Sequence, residues 1–191
     1  RRQEPQHDFQ ADAYGQVQNQ LKILGYEQYE VSSYALPGQE SQHNRVYWSQ
    51  GIYLGLGPGA HSMMLNSDGS VTRRHTTAKL GEWQVDPKKA PFEEEQLSPK
   101  EALLEALAFG LRDLKRGINP SDLAKRHQSP IPTGFEDLMS RFENSGWIRH
   151  SHPGEGQGPD AGLRQHDKYF VTPKGAAFLD AIAREILSLL S

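Results

Sequence analysis

From Ser98 onward the chain carries its own helix punctuation, and that pattern limits the fold more than any other feature. Ser98-Pro99-Lys100-Glu101 joins a capping box to a Pro at the first helical position. A helix is therefore expected from there to Gly117, with Leu104, Leu107, Leu111 and Leu114 on one face. Asn119-Pro120 opens a second, short helix through His127. Thr133 with Glu136 offers another capping box, and a third helix carries Phe135, Leu138, Met139 and Phe142 to a stop at Gly146. Trp147 to His150 and Lys168 to Val171 read as paired strands, and Thr172-Pro173 caps a last helix through Leu190. Between the strands, residues 151–167 are rich in Gly, Pro and charge and are expected as a long mobile loop.

Three helices, a two-stranded hairpin and a helix is the order of a winged-helix-like domain. That order invites a DNA reading through the third helix. The helix carries Glu136, Asp137 and Glu143 against Arg141 alone, so phosphate would repel it. No nucleic acid partner is expected, and a packing or lid role fits better.

The first part is less regular. Asp8 can cap a helix ending at Gly25, with Phe9, Ala13, Val17, Leu21 and Leu24 as its apolar stripe. Tyr29 to Tyr34 reads as a strand with Val31 inward, and Pro37-Gly38 as a turn. Gln39 to Gln50 is polar with embedded aromatics and reads as a loop. Ile52 to Leu56 reads as a short apolar strand, followed by Gly55, Gly57 and Gly59 in alternation. Residues 65–73 form an expected hairpin turning at Ser67-Asp68-Gly69, and residues 77–83 a short helix. Residues 85–96, with Glu93-Glu94-Glu95, read as a solvated linker. The domain boundary is placed there: residues 1–97, then 98–191.

Composition excludes several classes. The 191 residues hold no cysteine, so disulfides, thiolate catalysis and cysteine-held zinc or iron–sulfur clusters are excluded within this chain. The formal net charge of −3 gives no basic excess for nucleic acid or an anionic membrane. No membrane span or secretory signal is visible, so a cytoplasmic protein is expected. The chain opens at Arg1 without Met, which reads as a piece of a longer protein.

Two constellations carry chemistry. In His43-Asn44-Arg45-Val46-Tyr47-Trp48 a neutral His can offer a ring nitrogen to haem iron, Asn44 can orient it, and Tyr47 and Trp48 can give flat surface to a macrocycle. The plainer reading is a polar loop with core-plugging aromatics and a solvated His. In Gly55-Leu56-Gly57-Pro58-Gly59-Ala60-His61, glycines after a strand let backbone N–H groups approach a carboxylate or phosphate. The plainer reading is a tight turn, since neither a phosphate loop nor a dinucleotide fingerprint is spelled. The remaining histidines, including His150 and His152, sit in polar settings and read as solvated.

Together, GYEQYEVSSYALPG, HNRVYW and YLGLGPGAHS, in that order and spacing, resemble radical SAM proteins related to oxygen-independent coproporphyrinogen III oxidase, and among them the HemW-type haem chaperones. The resemblance covers most of the chain. It implies an α/β (α+β) fold: residues 1–97 as the C-terminal part of an incomplete radical SAM α/β barrel plus linker, and 98–191 as a HemN-type, helical, winged-helix-like domain. HNRVYW fits the chaperones' His-Asn-x-x-Tyr-Trp motif, which implies haem contact by His43, Asn44, Tyr47 and Trp48, with His43 as iron ligand. Gly57, Gly59, Ala60 and His61 would then lie at the barrel rim near S-adenosylmethionine, where α/β-barrel sites gather. The family's 4Fe-4S cluster hangs on a three-cysteine motif that this chain lacks, so no reductive cleavage of S-adenosylmethionine is expected from it. Residues 151–167 depart from relatives in length. The implied function is haem holding and transfer to an acceptor haemoprotein, without catalysis. The alternatives are a lid segment of an oxidase of porphyrin biosynthesis, and a non-catalytic interaction module. An unpaired strand edge near Tyr29 to Tyr34 implies a homo-oligomer of the isolated chain.

Overall fold

A computed structural model describes residues 7–151 and 168–190. Helix α1 (His7–Ile23) stops where Gly25 takes φ +83°, a left-handed conformation that glycine adopts without Cβ strain. Asp8 falls inside this helix rather than capping it. The expected apolar stripe is not closed over: Val17 is 53% and Leu24 65% exposed.

The single strand expected from Tyr29 to Tyr34 is a tight antiparallel hairpin instead, β1 (Glu27–Glu30) against β2 (Ser33–Ala35). Val31 lies in its turn, because Ser32 N–H donates to the Glu30 carboxylate and bends the chain there. The loop expected over 39–50 contains a helix, α2 (Gln42–Trp48). The Ser41 hydroxyl accepts from Asn44 N–H and caps it. The apolar run Ile52 to Leu56 is extended but is not a laddered strand; a lone antiparallel bridge, Tyr53 to Met63, ties it down.

Strands β3 (His61–Leu65), β4 (Val71–Thr76) and β5 (Phe92–Leu97) make a three-stranded antiparallel sheet in chain order. The β3–β4 hairpin turns at Asn66 to Ser70, as the Asp-Gly signal predicts. Helix α3 (Leu80–Val85) and a 3-10 turn (Pro87–Lys89) follow. From Phe92 on, the expected linker is in fact the edge strand β5. Its three glutamates face Arg73, Arg74 and His75 across the ladder, so cross-strand charge pairing holds a segment that looks solvated in one dimension. Strand β5 runs directly into the Ser98 cap, and Leu97 and Ala102 share one small apolar cluster with Met63 and Val71.

The rest keeps the element order that the punctuation predicts. Helix α4 (Pro99–Gly110) has the expected Ser98–Glu101 capping box. It ends at Gly110, not Gly117: beyond it, turns carry Leu111 and Leu114 into the core and leave Asp113 to bridge Glu30 of the first hairpin. Helix α5 (Pro120–Arg126) is capped by Asn119. Helix α6 (Phe135–Asn144) starts from Gly134 at φ +85° without a side-chain cap, so Thr133 is not its cap. Strands β6 (Ile148–Ser151) and β7 (Lys168–Val171) pair antiparallel; the loop expected over 151–167 lies, after Ser151, outside the described residues. Thr172 caps α7 (Pro173–Ala176) as expected. The last helix is broken before α8 (Leu179–Leu187), where Phe178 turns to stack on Trp147 at 4.6 Å. One core of Leu103, Leu104, Leu107, Phe135, Met139, Phe142, Ile182 and Ile186, among others, unites α4, α6 and α8. No helix among the described residues is long and apolar enough to cross a membrane.

Candidate functional site

Helix α2 decides where each motif residue points. Residues four apart share a helix face, and His43 and Tyr47 meet there. Their rings pack edge-on at 4.9 Å, and the Tyr47 hydroxyl and His43 Nε2 share a 3.1 Å hydrogen bond. Tyr53, from the extended segment after the helix, meets Tyr47 edge-on at 4.7 Å. Burial, the largest influence on Tyr53, raises its hydroxyl pKa above the ordinary tyrosine value. His43 and Tyr47 are exposed, Tyr47 at 39%.

The other motif residues point elsewhere. Trp48 is partly buried under the Arg112 guanidinium, which sits 4.4 Å from its ring centroid. With Arg45, Gly110, Asn119 and Arg126 it lines a separate cleft of about 200 Å³. Asn44 gives its N–H to the cap. Arg45 is buried and paired with Asp113 at 3.0 Å, so the motif's cation ties α2 to the chain after α4. Lys115 strengthens the same tie through Glu27 at 2.6 Å and Glu40 at 3.0 Å. Those bonds raise the Lys115 pKa, and the Lys115 bond is the main cause that lowers that of Glu40. The motif thus has an exposed aromatic–imidazole face and a buried fastening face.

Gln50 is the pivot between α2 and the extended segment. It is 2% exposed at φ +48°, a left-handed conformation that costs a non-glycine residue about 1–3 kcal/mol. Its amide donates to Glu105 at 3.1 Å. Arg126 donates to its carbonyl and, at 2.7 Å, to that of Ser49. Residue type alone did not mark Gln50, Arg45, Tyr53 or Arg126. The cap at Ser41 and the four-residue spacing of His43 and Tyr47 were the available signals.

The Gly-rich turn is more self-contained than its sequence implies. Gly57 and Gly59 take φ +103° and +71°. Gly59 N–H donates to Thr76 O, Ala60 N–H to Gly57 O, and Gly55 N–H to the Ser62 hydroxyl. Those three donors are engaged within the chain. His61 is exposed and stacks face to face on His75, 4.2 Å between centroids.

No family model matches the sequence. Among characterised proteins, it is 35% identical over 149 residues to the haem chaperone HemW of Synechocystis, covering 75% of this chain and 34% of that protein. It is 31% identical over 197 residues to bovine mitochondrial radical S-adenosyl methionine domain-containing protein 1, covering 97% and 41%. The chain belongs to the HemW-type family of radical SAM haem chaperones. It corresponds to the C-terminal portion of that family and spans about a third to two fifths of these relatives' length. Its fold is that of a solved radical SAM enzyme, the Escherichia coli coproporphyrinogen III oxidase HemN. The two superpose with a TM-score of 0.62 at 16% identity, over 95% of this chain and 42% of that one.

Proposed function

We propose that this chain is the haem-holding part of a HemW-type chaperone and that the exposed face of α2 is where the macrocycle docks. The carrying observation is the His43–Tyr47 pair, two groups able to bond iron, set side by side at the surface and braced by Tyr53. Haem is cargo here, passed on to an acceptor haemoprotein. Trp48 and Asn44 shape and fasten the helix rather than face the cargo.

In this reading residues 1–97 complete a radical SAM barrel and residues 98–191 form a winged-helix-like domain packed against it. Gly57, Gly59, Ala60 and His61 then line the rim facing S-adenosylmethionine. The cluster belongs to the cysteine-bearing part of the longer proteins, because this chain supplies no thiolate. Titration with haem, followed by absorption, tests the docking face. The double variant His43→Ala/Tyr47→Ala is expected to lose most of the binding; equal binding by variant and wild type would sink the proposal.

A further inference from the structure

We infer that Tyr47, not His43, bonds the iron of ferric haem, with His43 as the positioning residue that hydrogen-bonds the ligating oxygen; this rests on the haem reading above. On α2 the imidazole nitrogen best placed to reach a metal, Nε2, is already committed to the Tyr47 hydroxyl at 3.1 Å. The other nitrogen, Nδ1, adjoins the ring's attachment to the chain and is the more hindered of the two. Ligation through His43 Nε2 therefore breaks an existing hydrogen bond. Ligation through Tyr47 preserves it, because the phenolate oxygen accepts from the tautomer that carries its proton on Nε2.

Three features support tyrosine. The edge contacts of Tyr47 with His43 at 4.9 Å and with Tyr53 at 4.7 Å fix its ring from two sides. Tyr47 is 39% exposed, so an incoming macrocycle reaches it without unfolding the helix. Tyrosine is also an established protein ligand for haem iron. The exchange balances without an oxidant or reductant. Hydroxide on ferric haem leaves as water, taking the phenolic proton, while the iron–oxygen bond to Tyr47 forms and the iron stays ferric. An acceptor's own ligand completes transfer by replacing that oxygen, which regains a proton from water.

The whole 191-residue chain, its Tyr47→Phe and its His43→Ala variants are titrated with ferric haem and examined by absorption and resonance Raman spectroscopy. Wild type is expected to show phenolate-to-iron charge transfer with the matching Raman modes. Tyr47→Phe loses that signature and binds at least about tenfold more weakly. His43→Ala keeps the signature but binds about 10–100-fold more weakly, the cost usual for a ligand's hydrogen-bond partner. An imidazole-type spectrum that survives in Tyr47→Phe and vanishes in His43→Ala overturns the tyrosine assignment while leaving the haem site standing. Absence of binding by wild type overturns both.

Discussion

At the scale of single residues, His127 shows how the two parts of the chain are joined. It is fully buried at the end of α5, and its Nδ1 meets the Gly69 carbonyl at 3.0 Å, across the tip of the β3–β4 hairpin. Gly69 must be glycine there: its φ is +85°, and a Cβ would lie 2.1 Å from the His127 carbonyl oxygen. Burial is the largest influence on the imidazole and lowers its pKa below the ordinary value of 6.5. Neighbouring Arg126 pushes the same way, and the Gly69 carbonyl opposes both. The folded chain therefore holds fewer protons than the unfolded one. The His127 contribution to stability is complete above about pH 6.5 and declines as pH falls through that value toward the folded pKa. Melting followed from pH 7.5 to 5 should show the wild type losing stability faster than His127→Asn, whose amide can still donate to Gly69. Parallel curves would remove His127 from the pH response. None of this was legible in the sequence, where His127 is one polar-flanked histidine among eight, because its partner lies 58 residues away. His43 and Tyr47 were legible as residue types but not as a pair. Their meeting depends on a helix where the polar composition suggested a loop.

At the scale of elements, what could be read from sequence was what is local. The capping box at Ser98, the Asn119 cap and the Thr172 cap each act within three residues, and each holds in the structure. Strand β5 is not legible in one dimension because its stabilising partners lie 20 or more residues away: Arg74 meets Glu94 at 3.0 Å and Arg73 meets Glu95 at 3.4 Å. The Arg74 hydrogen bond is the main cause holding Glu94 below its usual pKa. The same glutamates keep an edge strand from recruiting another chain, since two such edges would repel. Reversing both charges, Glu94→Lys with Glu95→Lys, should lower the midpoint of urea denaturation at low salt, and the loss should shrink in high salt. A variant as stable as wild type would show that the ladder's backbone bonds suffice. Helix α2 has only seven residues, so its cap matters more than in a long helix. Ser41→Ala should cost about 1 kcal/mol. It should also weaken haem binding although Ser41 is not one of the two face residues. Unchanged affinity with lowered stability would show that the face forms only when cargo arrives.

At the scale of the whole molecule, burial is uneven. The core of α4, α6 and α8 is closed, with Phe135, Leu107, Ile182 and Ile186 at 0% exposure. Among its described residues the first part has a smaller cluster, Met63, Val71 and Leu97, which closes against Ala102 of α4. Several of its larger apolar side chains face outward: Ile23 at 76%, Leu54 at 75%, Leu56 at 81% and Val85 at 87%. Ile52, Leu54 and Leu56 alternate along one extended segment, so they form a ridge on one side while Tyr53 and Gly55 turn toward β3. Burying one such leucine or isoleucine is worth about 1.5–3 kcal/mol, so three together can drive association of this chain. The charged edge of β5 does not oppose this, because the ridge lies along the opposite flank, beside β3. The chain is therefore expected to self-associate at micromolar concentration through the ridge rather than through strand edges. Sedimentation of wild type across a concentration series should show a rising mass, and the triple variant Ile52→Lys/Leu54→Lys/Leu56→Lys a constant monomer. A monomeric wild type at every concentration would contradict the prediction. Association that persists in the triple variant would move it to the exposed face of α1, where Val17 and Ile23 remain uncovered.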